Sequence, residues 1–439
     1  MPTLDAAAIR SASRSKVIGA LTAIKGQPAS QWLSIGHPAR NGQLNSLRRI
    51  NNSQAAELLA AVGPNHCLDG WSYLSRALEA IVSGDVHAGR HLSYYAQLRA
   101  ANSILAFSGI GVFNTTHFSI DAAGVMSPLY RLTRREKAPG THSALWSIIE
   151  EWSKEQTHTG AFLDSIQVGG KPLSEIISVI WPSSASLPRS ATASGLVFNL
   201  VESWGLDLKK GPDDRSVRNV SSYNPHHLNP ASCNVPEMMS FVAHIWSMFE
   251  PGLGDGFDKL DRHILKQTLQ TFHNATTGDT RYHLGQISSN HENLDPRVKS
   301  LAEKDFLTGA DGTLLPDIMH FAEQRPSGDV LGMISRAALL LRTATAYTRS
   351  GFLAAGIAHP EQDLQLWLEQ TGVERGYWSA GNGPGSMADL WEDIDVALSD
   401  IADVLNSIPR DRFDLFERLN ASSRKLAESE RAFLWGIAA

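Results

Sequence analysis

Between His91 and Phe118 the chain reads HLSYYAQLRAANSILAFSGIGVFNTTHF, and three of its residues sit where a helical core would not ask for them. Helical neighbours are three or four apart, so Tyr94, Leu98, Ala101 and Leu105 make an apolar stripe beside a second stripe of His91, Tyr95, Arg99 and Asn102. Gly109 offers a C-terminal stop from which the chain could fold His117 back toward that second stripe. An arginine near a histidine can hold a phosphate by charge while the imidazole exchanges a proton near neutral pH. Arg99, Asn102 and His117 are therefore the candidate catalytic residues, with Tyr95 and His91 as candidate binding residues. The competing reading makes Arg99 and Asn102 tie loop carbonyls to the helix, with His117 a strand residue whose ring is satisfied.

The other chemistry-bearing residues form no known constellation. His226, His227 and Cys233 in one loop and His283 and His291 in another match no metal-ligand template, and adjacent histidines rarely share one ion, so no metal is expected. GNGPGSMADLWED supplies glycines and a serine cap, but without a lysine or a preceding strand it is no phosphate loop. Its acids suit the helix dipole, and the face carrying Asp393, Asp400 and Asp403 reads as solvated. SSASLPRSATASG has no nucleophile elbow, and SGIGVF lacks the rest of a dinucleotide fingerprint. No cofactor is expected.

Composition narrows the class. At 439 residues, with 42% hydrophobic and 19% charged, the chain has the make-up of a globular protein with core to spare. The 45 acids against 39 lysines and arginines give a net charge of -6, which provides no global field for nucleic acid or anionic membrane and leaves local basic patches open. Two cysteines, Cys67 and Cys233, are too few for a secreted disulfide framework. With neither an apolar export segment nor a membrane span in view, a cytoplasmic location and no membrane partner are expected.

The elements that must position these residues are mainly helical. SQAAELLAAV and WSYLSRALEAIVSG, separated by GPNHCLDG, predict two short helices joined by a tight turn. GVFNTTHFSIDAAG predicts a strand or short hairpin, and THSALWSIIEEWSKEQ a helix capped by Thr141 or Ser143. Residues 182–236 are dense in Pro, Ser, Asn and Gly and read as long connections around one apolar run, LVFNLVESW. KPLSEIISVIW, MMSFVAHIWSMF, FDKLDRHILKQTLQTF and DVLGMISRAALLLRTATAYTRSGFLAAGI are helical, the last apolar enough to be central. Trp391, Ile394, Leu398, Ile401, Leu405 and Ile408 form one seam ended by Pro409, which wants a partner helix from the same chain. Three regions follow: 1–52 as an N-terminal helical segment, 53–350 as the main helical region, and 351–439 as a C-terminal helical segment.

HAGRHLSYYAQLRAANSILA, followed by TTHF, resembles the signature helix of the YaaC-like proteins, a branch of the HEPN-like helical superfamily. ISRAALLLRTATAYTRS, residues 334–350, is more loosely similar to a late helix of those proteins. The resemblance, concentrated at residues 87–118 and 334–350, implies a multi-helical HEPN-like core. For many relatives it also implies a part in RNA metabolism or antiviral defence. Catalytic members cleave RNA without metal, using an arginine followed by a histidine after four to six intervening residues. Only Arg135 and His142 have that spacing here, in REKAPGTH, where proline and glycine break the helical context. Arg99 and His117 are too far apart to be that motif. The expectation is a mainly α bacterial protein with a small β element. It would bind protein or nucleic acid in a defence or stress-response system, with protein partners, RNA and a second copy of the chain as candidate partners. The alternatives are a metal-independent ribonuclease centred on Arg99, Asn102 and His117, and a scaffold subunit docking through the seam at Trp391 to Ile408.

Overall fold

From the N-terminus, Ala6–Arg10 (α1), Arg14–Ile24 (α2) and Ala29–Arg40 (α3) lead to Asn52–Val82 (α4), a single helix of 31 residues. The computed structural model describes residues 2–40, 47, 50–133, 135–182, 210–223, 234–252, 256–276, 280–407 and 412–438. α4 runs straight through GPNHCLDG, where the sequence predicts a turn between two helices. Pro64 inside a helix costs about 3 kcal/mol. Burial of Gly63 through Leu68 in the bundle outweighs it, and Ser103 donates to the Gly63 carbonyl at 2.7 Å. Asn51 starts the helix with a capping box, accepting from Gln54 N while Gln54 accepts from Asn51 N.

Asp85 caps the next helix, Val86–Phe107 (α5), which packs along α4. Their close approach needs Gly63, where a Cβ would meet the Phe107 ring at 2.9 Å. Gly109, at φ 86°, ends α5, and a side chain there would strike the Ser13 backbone. The chain then makes an antiparallel sheet of Ile110–Phe113 (β1), Thr116–Ile120 (β2) and Met126–Pro128 (β3), with Val112 opposite His117 and Phe118 opposite Pro128. This is the small β element expected after Gly109.

Thr141–Ser153 (α6) starts from Gly140, and neither Thr141 nor Ser143 caps it as predicted; Ser143 instead accepts from Arg215. Lys210–Tyr223 (α7) is a helix inside the segment read as connection. Val235–Met248 (α8), Asp258–Thr276 (α9), Asp317–Gln324 (α10) and Val330–Ala354 (α11) follow. α11 is buried along almost its whole length and packs on α4, α5 and α10, so it is central as its apolar pattern predicts. Two of its residues are arginines paired with buried acids: Arg336 with Asp214 of α7, and Arg342 with Asp261 of α9.

Glu392–Asn406 (α12), Arg412–Leu426 (α13) and Glu430–Ala438 (α14) close the described chain. The seam on α12 is covered from within: Ile394 and Ile401 are buried, Leu398 and Leu405 are half-buried against the core, and α12 packs on α13 and α8. Trp391 joins Trp246 and Trp435 in an aromatic cluster; Ile408 and Pro409 lie outside the described residues. Asp393, Asp400 and Asp403 lie on an exposed face, as expected, and Asp393 also pairs there with the nearly buried Arg431 and with Lys425. Apolar residues from Ala8 to Ile437 share one core. The fold is mainly α, and among the described residues no helix is long and apolar enough to cross a membrane.

Candidate anion-binding site

α5 presents His91, Tyr95 and Arg99 on one face, as their spacing of four requires. α4 lies alongside and adds His66, Asp69 and Tyr73 from one of its own faces. Tyr73 stacks on Tyr95 with ring centroids 5.2 Å apart, and His91 tilts against Tyr95 at 5.0 Å. Arg99 Nη1 lies 3.0 Å from His66 Nδ1. An arginine can only donate, so that ring nitrogen accepts.

Two further elements close over this face. The first turn of α6 brings His142 flat against Tyr94 at 5.7 Å and edge-on to Tyr95 at 5.6 Å, with Nδ1 hydrogen-bonded to the Tyr94 hydroxyl at 3.3 Å. α7 brings Arg215, which donates to the His142 carbonyl at 3.3 Å and to Ser143 Oγ at 2.9 Å. It also brings Arg218, whose guanidinium lies 5.1 Å from the Tyr94 ring centroid and 5.4 Å from that of Tyr95.

α7 is held in place by Asp214, on the same helical face as Arg218. The Asp214 carboxylate accepts from Arg336 Nε and Nη2 at 3.0 to 3.2 Å and from Gly328 N at 2.8 Å, with both side chains 1% exposed. Arg90 of α5 donates to the Gly328 carbonyl at 2.8 Å, tying the same turn to the helix that carries the tyrosines.

The gathered cations act on each other. His142 is pushed down to about 4, first by burial and then by Arg218, Arg215, Arg99 and His91, so its ring is neutral at pH 7. Burial, followed by Arg218, lowers His91. Burial raises the Tyr94 hydroxyl, which stays protonated. Among the described residues Arg99 and Arg215 donate to neutral acceptors, and Arg99 Nε is buried with no partner among them. Such a site can hold an anion between arginines and a flat ring against tyrosine, with a neutral histidine able to accept a proton.

Of the residues chosen from sequence, His91, Tyr95 and Arg99 come together here. Asn102 is buried on α5, 6% exposed, one turn beyond Arg99. His117 does not fold back to them: on β2, Nε2 bonds the Pro139 carbonyl at 2.7 Å and the ring meets Tyr130 edge-on. Its place beside the arginine stripe is taken by His142, whose sequence partner Arg135 is exposed. His66 escaped notice because GPNHCLDG reads as a turn. Arg215 and Arg218 escaped because their helix lies between segments rich in proline and serine, although DDRSVRNV carries the acidic start of a helix.

His283 and His291, read as loop residues, lie in the helix Thr280–Asn290 and in the short 3-10 turn after it, and both have structural partners. His283 stacks on Trp181, and His291 Nε2 bonds the Ala302 carbonyl at 3.0 Å. His226, His227 and Cys233 lie outside the described residues, and among those described no cluster of three or more His, Cys, Asp or Glu could hold a metal. Comparison with family models, curated proteins and solved structures finds no match for the chain.

Proposed function

We propose that the chain binds single-stranded RNA at the cluster of Arg99, Arg215, Arg218, His142 and the stacked tyrosines. Its role would be that of a component of a bacterial defence or stress-response system, as the YaaC-like and HEPN-like resemblance suggests. One observation carries the RNA reading: among the described residues Arg99 and Arg215 form no ion pair with a carboxylate within 4 Å, and they lie next to the half-buried rings of Tyr73, Tyr95 and His91. Arginines not paired with a carboxylate suit phosphate, and aromatic rings with part of their surface open suit unpaired bases. The test is fluorescence anisotropy of a labelled single-stranded RNA against wild type and the Arg99→Ala/Arg215→Ala double variant over a range of salt. Losing two phosphate contacts reduces the magnitude of the slope of log K against log salt by about 1.4. An unchanged affinity and slope in the double variant would overturn the reading.

A metal-independent ribonuclease is the second reading, favoured by the neutral His142 ring beside Arg99 and Arg215. His142 would take the proton of the attacking hydroxyl while Arg99 stabilises charge developing at phosphorus. Cleavage of RNA in EDTA by wild type, abolished in His142→Asn and retained in His117→Asn, supports it. Intact RNA, or equal cleavage by both variants, removes it.

A further inference from the structure

α9 carries Arg262 and His263 and, one turn on, Lys266, and all three meet the ring of Phe306. The Lys266 ammonium and the Arg262 guanidinium each lie 4.8 Å from its centroid, and His263 meets it edge-on at 5.0 Å. Beyond them the helix face borders a cleft of about 400 Å³, whose other wall includes Thr313, Leu314 and Leu315 and Glu323 of α10. Leu314 is 85% exposed although it lines this cleft.

The charges in the cleft are unsatisfied within the described chain. Among the described residues Lys266 forms no ion pair with a carboxylate within 4 Å, and Arg262 Nε is buried without a hydrogen bond. Asp311, whose charge reaches Lys266, has its oxygens taken by the backbone and hydroxyl of Thr313. Glu323 is exposed and forms no ion pair among the described residues. A cation and an anion thus line one cleft with room between them and an apolar rim beside them.

We propose that this cleft binds a small zwitterion with an apolar group, the chemistry of an apolar α-amino acid. Its carboxylate would lie on Lys266, its ammonium on Glu323, and its side chain against Leu314 and Leu315. A plain anion would satisfy Lys266 and leave Glu323 facing it unfavourably; a plain amine would do the reverse. Burial holds the Lys266 ammonium below the ordinary lysine value, so a carboxylate arriving there meets a partly desolvated charge. His263, pushed down to about 4 by burial and then by Arg262 and Lys266, is neutral and offers a hydrogen bond without adding charge. The site is independent of the RNA reading.

The experiment is calorimetric titration of the full chain with L-leucine, with 4-methylvalerate, which lacks the amine, and with isoamylamine, which lacks the carboxylate. Lys266→Met, Glu323→Gln and Leu314→Ser are titrated beside wild type, after thermal melts confirm that each folds. Leucine is expected to bind at least about tenfold tighter than isoamylamine, which leaves the partly desolvated Lys266 unpaired, and about threefold tighter than 4-methylvalerate, because Glu323 is exposed. Lys266→Met should weaken leucine at least about tenfold and Glu323→Gln about threefold, and Leu314→Ser, which keeps both charges, should weaken leucine and leave glycine, titrated beside it, unchanged. No heat with leucine, equal binding of 4-methylvalerate, or leucine affinity unchanged in both charge variants would each overturn the proposal.

Discussion

Asp214→Ala is the perturbation that reaches furthest from a single carboxylate. It leaves Arg336, 1% exposed, as a buried guanidinium with only the Ala322 carbonyl at 3.3 Å, and leaves Gly328 N without its acceptor. Removing one partner of a buried ion pair costs roughly 3–5 kcal/mol, most of it the stranded charge. An unfolding entropy of about 2.1 cal/mol/K per residue over 439 residues comes to about 0.9 kcal/mol/K, so the melting point should fall by about 3–5 °C if the chain unfolds as one unit. Because Asp214 is the residue before Arg215 and one turn before Arg218, α7 should loosen first, and RNA affinity and its salt dependence should fall with it. Calorimetric melting and RNA anisotropy on the same preparations read both effects. Asp214→Leu/Arg336→Met strands no charge and should recover most of the melting temperature without restoring RNA binding. The reasoning fails if Asp214→Ala melts within 1 °C of wild type, or if the double variant loses the sum of the two single losses.

The remaining predictions concern acid, close packing and a thiol. His142 titrates lower when folded than when unfolded, so its contribution to stability is present above the unfolded value near 6.5 and is lost as pH falls toward about 4. Burial pushes Asp261 up to about 6 against the pull of Arg342, a contribution of opposite sign, so urea midpoints at pH 7 and 5 are compared between wild type and His142→Asn. The variant should lose less on acidification, and an equal or larger loss refutes the assignment. Gly351→Ala places a methyl 2.6 Å from the Phe107 ring, which Gly63 blocks on another side, and should cost about 1–3 kcal/mol in chemical denaturation. Unchanged stability would mean that the ring can move. Cys67 is buried and its thiol pushed up to about 12, first by burial, so in a Cys233→Ser background the native chain should not react with a thiol reagent at pH 8 until it is unfolded.

The sequence carries the helices well where their apolar period is long, as in α5, α9 and α11, and the hairpin where Thr, Val and Phe cluster after Gly109. It misleads at GPNHCLDG, because local punctuation by glycine and proline is weaker than the burial that α5 and α11 offer, and nothing local reports that offer. The site was half legible for the same reason. His91, Tyr95 and Arg99 share one helix, so spacing alone brings them together. His66, His142, Arg215 and Arg218 arrive on three other helices, and their meeting is a property of tertiary packing. His117 shows the limit of the fold-back argument: it lies in the strand Thr116–Ile120, paired to Ile110–Phe113, and its ring bonds the Pro139 carbonyl instead of facing the arginine stripe.

α11 has one more consequence. Arg336 clamps α7, which carries Arg215 and Arg218, and Arg342, six residues along the same helix, clamps α9 at Asp261, next to Arg262 and His263. Both candidate ligand sites are thus pinned to a single rod by buried charge pairs, which hold definite geometries and resist gradual slippage. If both sites bind as proposed, a ligand that shifts either clamped helix works against the same rod, and any coupling through it would be reciprocal: RNA would alter affinity for the small ligand by the factor by which that ligand alters affinity for RNA.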